Sequence, residues 1–149
     1  MIQRFQSFVV GISSCYKHIQ HIKSMEMAEF GLKGAHVMCL FFLSQNPQGL
    51  TAANLCQLCA EDKAAISRTI ASLQKDGFIA ACDKKYRALL HLTEKGHQVA
   101  HQVTQLIAQW VDFGGSGLSD EERATFYRVL DTISTNLQTN IENNERKFV

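Results

Sequence analysis

Residues 50–93 read LTAANLCQLCAEDKAAISRTIASLQKDGFIAACDKKYRALLHLT, and within them the spacing of apolar side chains switches from helical to strand-like. Thr51 is a suitable N-cap for a first helix, carrying Leu55 and Leu58 at helical spacing and ending near Ala60. Glu61-Asp62 breaks the run, and Asp62 can cap a second helix from Lys63 to about Asp76. Gly77 stands where a helix end favours a left-handed residue. The period then becomes that of strands, predicted over 78–82 and 88–92. Between them, Asp83-Lys84-Lys85-Tyr86-Arg87 places three cations in five residues.

The second helix divides into two faces. Ile66, Ile70 and Leu73, with Thr69 beside them, form the apolar stripe, and Lys63, Ala64, Ser67, Arg68, Ala71 and Lys75 form the other side. An ordinary solvated face would carry more Glu and Lys. Here the middle is small side chains and one Arg, which suits close approach to a base-pair edge. A guanidinium matches guanine O6 and N7 or a phosphate, and an alanine can touch a thymine methyl. A two-stranded ribbon with a cationic tip, following a helix-turn-helix, is a wing that can reach a phosphate backbone or a minor groove.

The run from Gly31 to Gly96 resembles the MarR-type (multiple antibiotic resistance regulator) winged-helix transcription factors. The pieces that carry the resemblance are GLKGAHVMCLFFL, GLTAANLCQLC, DKAAISRTIASLQKDGFI and LHLTEKG, above all Ser67-Arg68-Thr69 and the Leu92-Thr93-x-x-Gly96 closure. One feature departs from the family, whose wing commonly carries Asp-x-Arg. Here Asp83 is followed by Lys84 and Lys85, and the wing Arg arrives only at Arg87.

Bulk properties narrow the alternatives. The chain of 149 residues is 46% apolar, which suits one folded domain rather than disorder. Its formal net charge is only +1, so any nucleic-acid binding rests on local charge. Residues 61–87 hold six cations and four anions, whereas residues 119–149 hold four and six. No stretch approaches the roughly 20 apolar residues of a membrane span. Five cysteines without a secretory leader point to reduced thiols in a cytoplasmic protein.

Around the motif, one helix is expected from residue 2 to about 24, striped by Phe5, Phe8, Val9, Ile12, Tyr16, Ile19 and Ile22. Gly31 and Gly34 flank a bend before an apolar, buried helix at Ala35–Ser44. A helix capped by Thr93 runs to about Val111, Gly114–Gly117 makes a corner, and Ser119 with Glu122 opens a last helix as a capping box. The terminal stripes exceed what one copy can bury, which calls for a second.

The fold expected is mainly α: a winged helix-turn-helix, with a two- or three-stranded β-wing, between N- and C-terminal dimerisation helices. Residues 1–149 form a single domain, with 1–30 and 94–149 as the helical dimerisation region and 31–93 as the DNA-binding region. The resulting reading is a dimeric regulator on double-stranded DNA with a pseudo-palindromic operator. Thr51, Ala52 and Asn54 are assigned to phosphates. Lys63, Ala64, Ser67, Arg68 and Thr69 are assigned to bases, and Lys84, Lys85 and Arg87 to the flank.

The resemblance implies a repressor relieved by a small-molecule effector bound between the dimer helices and the reading head. Cys15, Tyr16, His36, Cys39 and Phe41 are its candidate lining by position. Alternatives are a metal- or redox-responsive regulator, or a winged-helix protein-interaction module without DNA binding. Cys56-x-x-Cys59 lacks the second ligand pair of a zinc site and is read as packing. His97 with His101, and His18 with His21, are read as solvated pairs. No phosphate loop, His-Glu-x-x-His or nucleophile elbow is present, so neither catalytic residues nor a cofactor is assigned.

Overall fold

The structure, a computed structural model, describes residues 2–81 and 88–145. Among these described residues, six helices and two strands follow in the order α1 (Ile2–Ala28), α2 (His36–Gln45), α3 (Ala52–Cys59), α4 (Lys63–Lys75), β1 (Ile79–Ala81), β2 (Leu90–Leu92), α5 (Glu94–Gly114) and α6 (Asp120–Glu145). The expected mainly helical winged helix-turn-helix is what forms. Contacts divide the chain into two compact units, Met1–Ile107 and Ala108–Val149.

The core of the first unit gathers Met27, Leu32, Val37, Leu40, Leu43, Leu55, Ile66, Leu73, Phe78, Ile79, Leu90 and Val103. The helix α2 is its centre, packing against α3, α4 and β2. Its near-continuous apolar sequence answers to that position, with His36, Val37, Cys39, Leu40 and Leu43 buried. The strands pair antiparallel with Ile79 opposite Leu92, Ala80 opposite His91 and Ala81 opposite Leu90. Leu50 adds a bridge to Leu90, its N–H donating to the Leu90 carbonyl at 3.1 Å and its carbonyl accepting at 2.9 Å. Among the described residues the sheet is two strands plus one bridging residue; Phe78, Ala88 and Leu89 fall outside the strands, and Cys82 of the predicted first run lies outside the described residues.

Differences from the sequence expectation lie at element ends. The first helix continues to Ala28 rather than stopping near residue 24, because Met27 turns inward and is fully buried. Its other residues are exposed or half-buried, including Ile2, Phe5, Phe8, Val9, Ile12, Tyr16 and Ile19. In α5 the helix runs on from Val111 to Gly114.

In the second unit, Ser119 and Glu122 form the expected capping box. Ser119 N–H donates to Glu122 Oε2 at 2.8 Å, and Glu122 N–H donates to Ser119 Oγ at 3.2 Å. Donation by the Ser119 backbone and hydroxyl holds the Glu122 carboxyl below the usual range. At the preceding corner Arg123 lies against Gly115, donating from its guanidinium to the Gly115 carbonyl at 2.8 Å. None of the residues of α6 is buried, although Phe126, Val129, Leu137 and Ile141 lie along it.

Candidate nucleic-acid interface

Each helix of the α3–α4 pair is fixed at its start by side chains. Thr51 Oγ1 accepts from Asn54 N–H at 3.1 Å, and Thr51 N–H donates to Asn54 Oδ1 at 3.1 Å. Asp62 Oδ1 accepts from Ala65 N–H at 2.7 Å. Between them Ala60 takes the left-handed conformation, φ 53°, the positive-φ non-glycine among the described residues. That conformation reverses the chain so that Glu61 N–H reaches the Cys56 carbonyl at 3.1 Å.

These fastenings present α4 with one face in and one face out. Ile66, Thr69 and Leu73 are buried, whereas Lys63, Ala64, Ser67, Arg68, Ala71 and Lys75 are exposed. The outward face is therefore the small-residue ridge with Arg68 in its middle. Thr69 is a correction to the sequence assignment. It is only 8% exposed and lies on the inner face with its helical neighbours Ile66 and Leu73, so it does not belong to the base-facing set. At the start of α3, Ala52, Ala53 and Asn54 are exposed and Thr51 half-buried. The capping box occupies the Thr51 hydroxyl and Asn54 Oδ1. The first-turn amides of Ala52 and Ala53, as helix N-terminal donors, are the groups suited to a phosphate.

The far end of α4 is locked by residues that the sequence reading used only as a motif. Gly77 adopts φ +76°, and Phe78 N–H returns to the Leu73 carbonyl at 2.9 Å. Thr93 Oγ1 then donates to the Gly77 carbonyl at 2.6 Å, while Thr93 N–H donates to the Phe78 carbonyl at 3.0 Å. The same hydroxyl accepts from Gly96 N–H at 3.1 Å, capping α5. A side chain at Gly96 would fall on the Phe78 carbonyl oxygen. The Leu92-Thr93-x-x-Gly96 closure is thus a junction tying the end of α4 and the base of the β-ribbon to α5.

Lys95, given no role in the sequence reading, contributes here. Its Nζ donates to the Asp76 carbonyl at 2.8 Å and sits 4.2 Å from the Phe78 ring centroid. A cation two residues after the Thr93 cap was the available signal. Lys84, Lys85 and Arg87 lie outside the described residues.

The five effector candidates do not share one environment. Cys15 and Tyr16 are exposed on α1, Phe41 is half-buried, and His36 and Cys39 are buried. His36 Nδ1 accepts from Lys33 N–H at 3.1 Å, a bond that requires an unprotonated Nδ1. Burial, then the Lys33 charge, lowers the His36 pKa, and Asp76 opposes the shift. Cys39 instead meets Cys59, Sγ to Sγ 3.9 Å. Among the described residues no group of three or more His, Cys, Asp or Glu could hold a metal ion. None of their helices is long and apolar enough to cross a membrane.

A capped helix pair with an exposed second helix, backed by a β-ribbon and flanked by long helices, defines a winged helix-turn-helix. Residues 30–88 match the MarR family, so the resemblance seen in the sequence is sustained over the segment that builds this head. No curated protein matches the chain by sequence.

Solved structures agree in fold. A MarR family transcriptional regulator from Listeria monocytogenes complexed with 26mer DNA is 22% identical, with TM-score 0.81 over 89% of each chain. A MarR transcriptional regulator from Methanosarcina mazei is 20% identical, with TM-score 0.76 over 89% of this chain and 91% of that one. The S. aureus MepR–DNA complex is 18% identical, with TM-score 0.76 over 85% of this chain and 93% of that one.

Proposed function

We propose that the protein is a dimeric transcriptional regulator of MarR type, a cytoplasmic repressor that binds a pseudo-palindromic operator and is released by a small-molecule effector. It is not an enzyme. The observation that carries the reading is the outward face of α4, where Ala64, Ser67, Arg68 and Ala71 are exposed between Lys63 and Lys75. Small side chains let the helix enter a major groove, and Arg68 supplies a fork for a guanine edge or a phosphate. Lys84, Lys85 and Arg87 of the wing extend the contact along the backbone. Relatives of the same fold have been solved with DNA.

The division of labour follows the sequence expectation, with 31–93 as the reading head and 1–30 with 94–149 as the dimerisation region. Support comes from exposed apolar side chains at both ends: Ile2 at 82% and Phe5 at 68% on α1, and Phe126 at 53% and Leu137 at 55% on α6. Two copies would set their α4 helices about 34 Å apart, one turn of DNA.

The test is binding to the DNA upstream of the protein's own gene, measured by fluorescence anisotropy. Arg68→Ala should weaken binding by about 1–3 kcal/mol, roughly 5- to 150-fold, while His97→Ala leaves it unchanged. Affinity should fall steeply with salt, with a logarithmic slope of about −0.9 per phosphate neutralised. Salt-independent binding, or an Arg68→Ala protein with full affinity, would refute the reading.

A further inference from the structure

Cys39 and Cys59 are twenty positions apart in sequence, yet their sulfurs stand 3.9 Å from one another. Cys39 lies in the core on α2, 1% exposed, and Cys59 is the last residue of α3, half-buried. Their setting is asymmetric. The Cys39 thiol is raised far above the ordinary thiol range, first by its hydrogen bond to Cys59 and then by burial, with Cys59, Cys56 and Glu61 adding to the effect. Cys59 moves the other way, first through the hydrogen bond with Cys39. Burial and the Glu61 carboxylate oppose that shift, and the Lys23 ammonium assists it. Lys23, itself half-buried on α1, has its pKa lowered by burial, and Cys59 and Glu61 oppose that shift. Either sulfur can donate in this contact, but of the two only Cys59 is open to solvent, so a small oxidant meets Cys59 first while Cys39 stands behind it in the core.

We infer that Cys59 is a peroxide-reactive thiol and Cys39 its resolving partner, so that oxidation joins α2 to α3 by a disulfide. The oxidant is hydrogen peroxide or a small organic hydroperoxide. In the first step the Cys59 thiolate attacks one peroxide oxygen. The O–O bond breaks, an S–O bond forms, and the departing hydroxide (alkoxide for an organic peroxide) takes up the proton that the thiol released.

Cys59 is then a sulfenic acid, oxidised by two electrons, and the peroxide is reduced. In the second step the Cys39 sulfur attacks the Cys59 sulfur. The S–O bond breaks, and hydroxide leaves with the Cys39 proton as water. With hydrogen peroxide, two thiols and one peroxide become one disulfide and two waters. The sulfurs must close by about 1.9 Å to reach a bond of about 2.05 Å, a movement shared between two helices already packed together.

Nothing in this chemistry depends on DNA binding, and the test needs none. The full-length reduced protein is treated with equimolar hydrogen peroxide, blocked with an alkylating agent, and read by intact mass and peptide mapping. The expected product has lost two hydrogens, carries a Cys39–Cys59 cross-link and is restored by dithiothreitol. Cys39→Ser, with Cys39→Ala as a second variant in case one fails to fold, should stop at a Cys59 sulfenic acid that dimedone traps. Cys59→Ser should leave Cys39 unmodified. Lys23→Met should slow the reaction of Cys59 by roughly three- to tenfold, since thiolate character sets reactivity.

The exposed Cys15 is the internal reference. Should Cys59 react no faster than Cys15, or the cross-link map to Cys56–Cys59 or to a Cys15–Cys15 pair between copies, the inference is overturned.

Discussion

Gly96 and His36 show how much can rest on one residue. At Gly96 the absent side chain lets α5 begin against the Phe78 carbonyl, and any Cβ would force these backbones apart. Gly96→Ala should therefore destabilise the first unit by about 3 kcal/mol, read as a lower urea midpoint with an unchanged m-value. His36 makes stability depend on pH. Its folded-state pKa lies below the unfolded value of about 6.5, so the unfolded chain binds the proton more readily. The stabilising contribution is whole above about pH 6.5 and is lost as pH falls through and below that value. Urea unfolding at about pH 7.5 and about pH 5.5 should show the decline, and His36→Gln should reduce the difference. The sequence displayed the Leu-Thr-x-x-Gly spacing but not its cause, because Phe78 and Gly96 meet only once the ribbon folds back.

At the scale of elements, the helix-turn-helix was readable because its signals are local. Thr51, Asp62, Gly77 and Ser119 each bond or turn within a few residues, and all four sit where capping chemistry places them. Ala60 was less legible, since alanine carries no mark of a left-handed conformation. Its strain predicts that Ala60→Gly raises stability by about 1 kcal/mol, measurable as a higher melting temperature. In the opposite direction, Asp62→Ala should cost about 1 kcal/mol by removing the acceptor for Ala65 N–H. Thr69 shows the limit of periodicity. A polar residue beside an apolar stripe can face either way, and here packing against the core decided it. The Cys39–Cys59 approach was equally hidden, because sequence spacing displays only the Cys56-x-x-Cys59 pair within one helix, while the sulfur in contact comes from another.

At the scale of the whole molecule, the two ends govern behaviour. Of the 27 residues of α1 only Met27 is buried, and α6 with its 26 residues has none. Helices with so little tertiary packing are marginal in water, whatever their caps. If the proposed dimer buries them, the helical circular dichroism should fall as the protein is diluted. A double Phe5→Asp, Phe8→Asp protein should sediment with the mass of one copy. The stripes themselves were plain in the sequence, because a 3.6-residue rhythm is set by the order of the residues alone.

The Thr93 hydroxyl touches three things at once: the last carbonyls of the α4 turn, the base of the ribbon and the first amide turn of α5. On the proposed function, a swivel of α5 about its own start would carry the outer face of α4 with it, as an oar blade follows its handle through the rowlock. Thr93→Val would loosen that pin, and grip on DNA would then become insensitive to how the long helix is held.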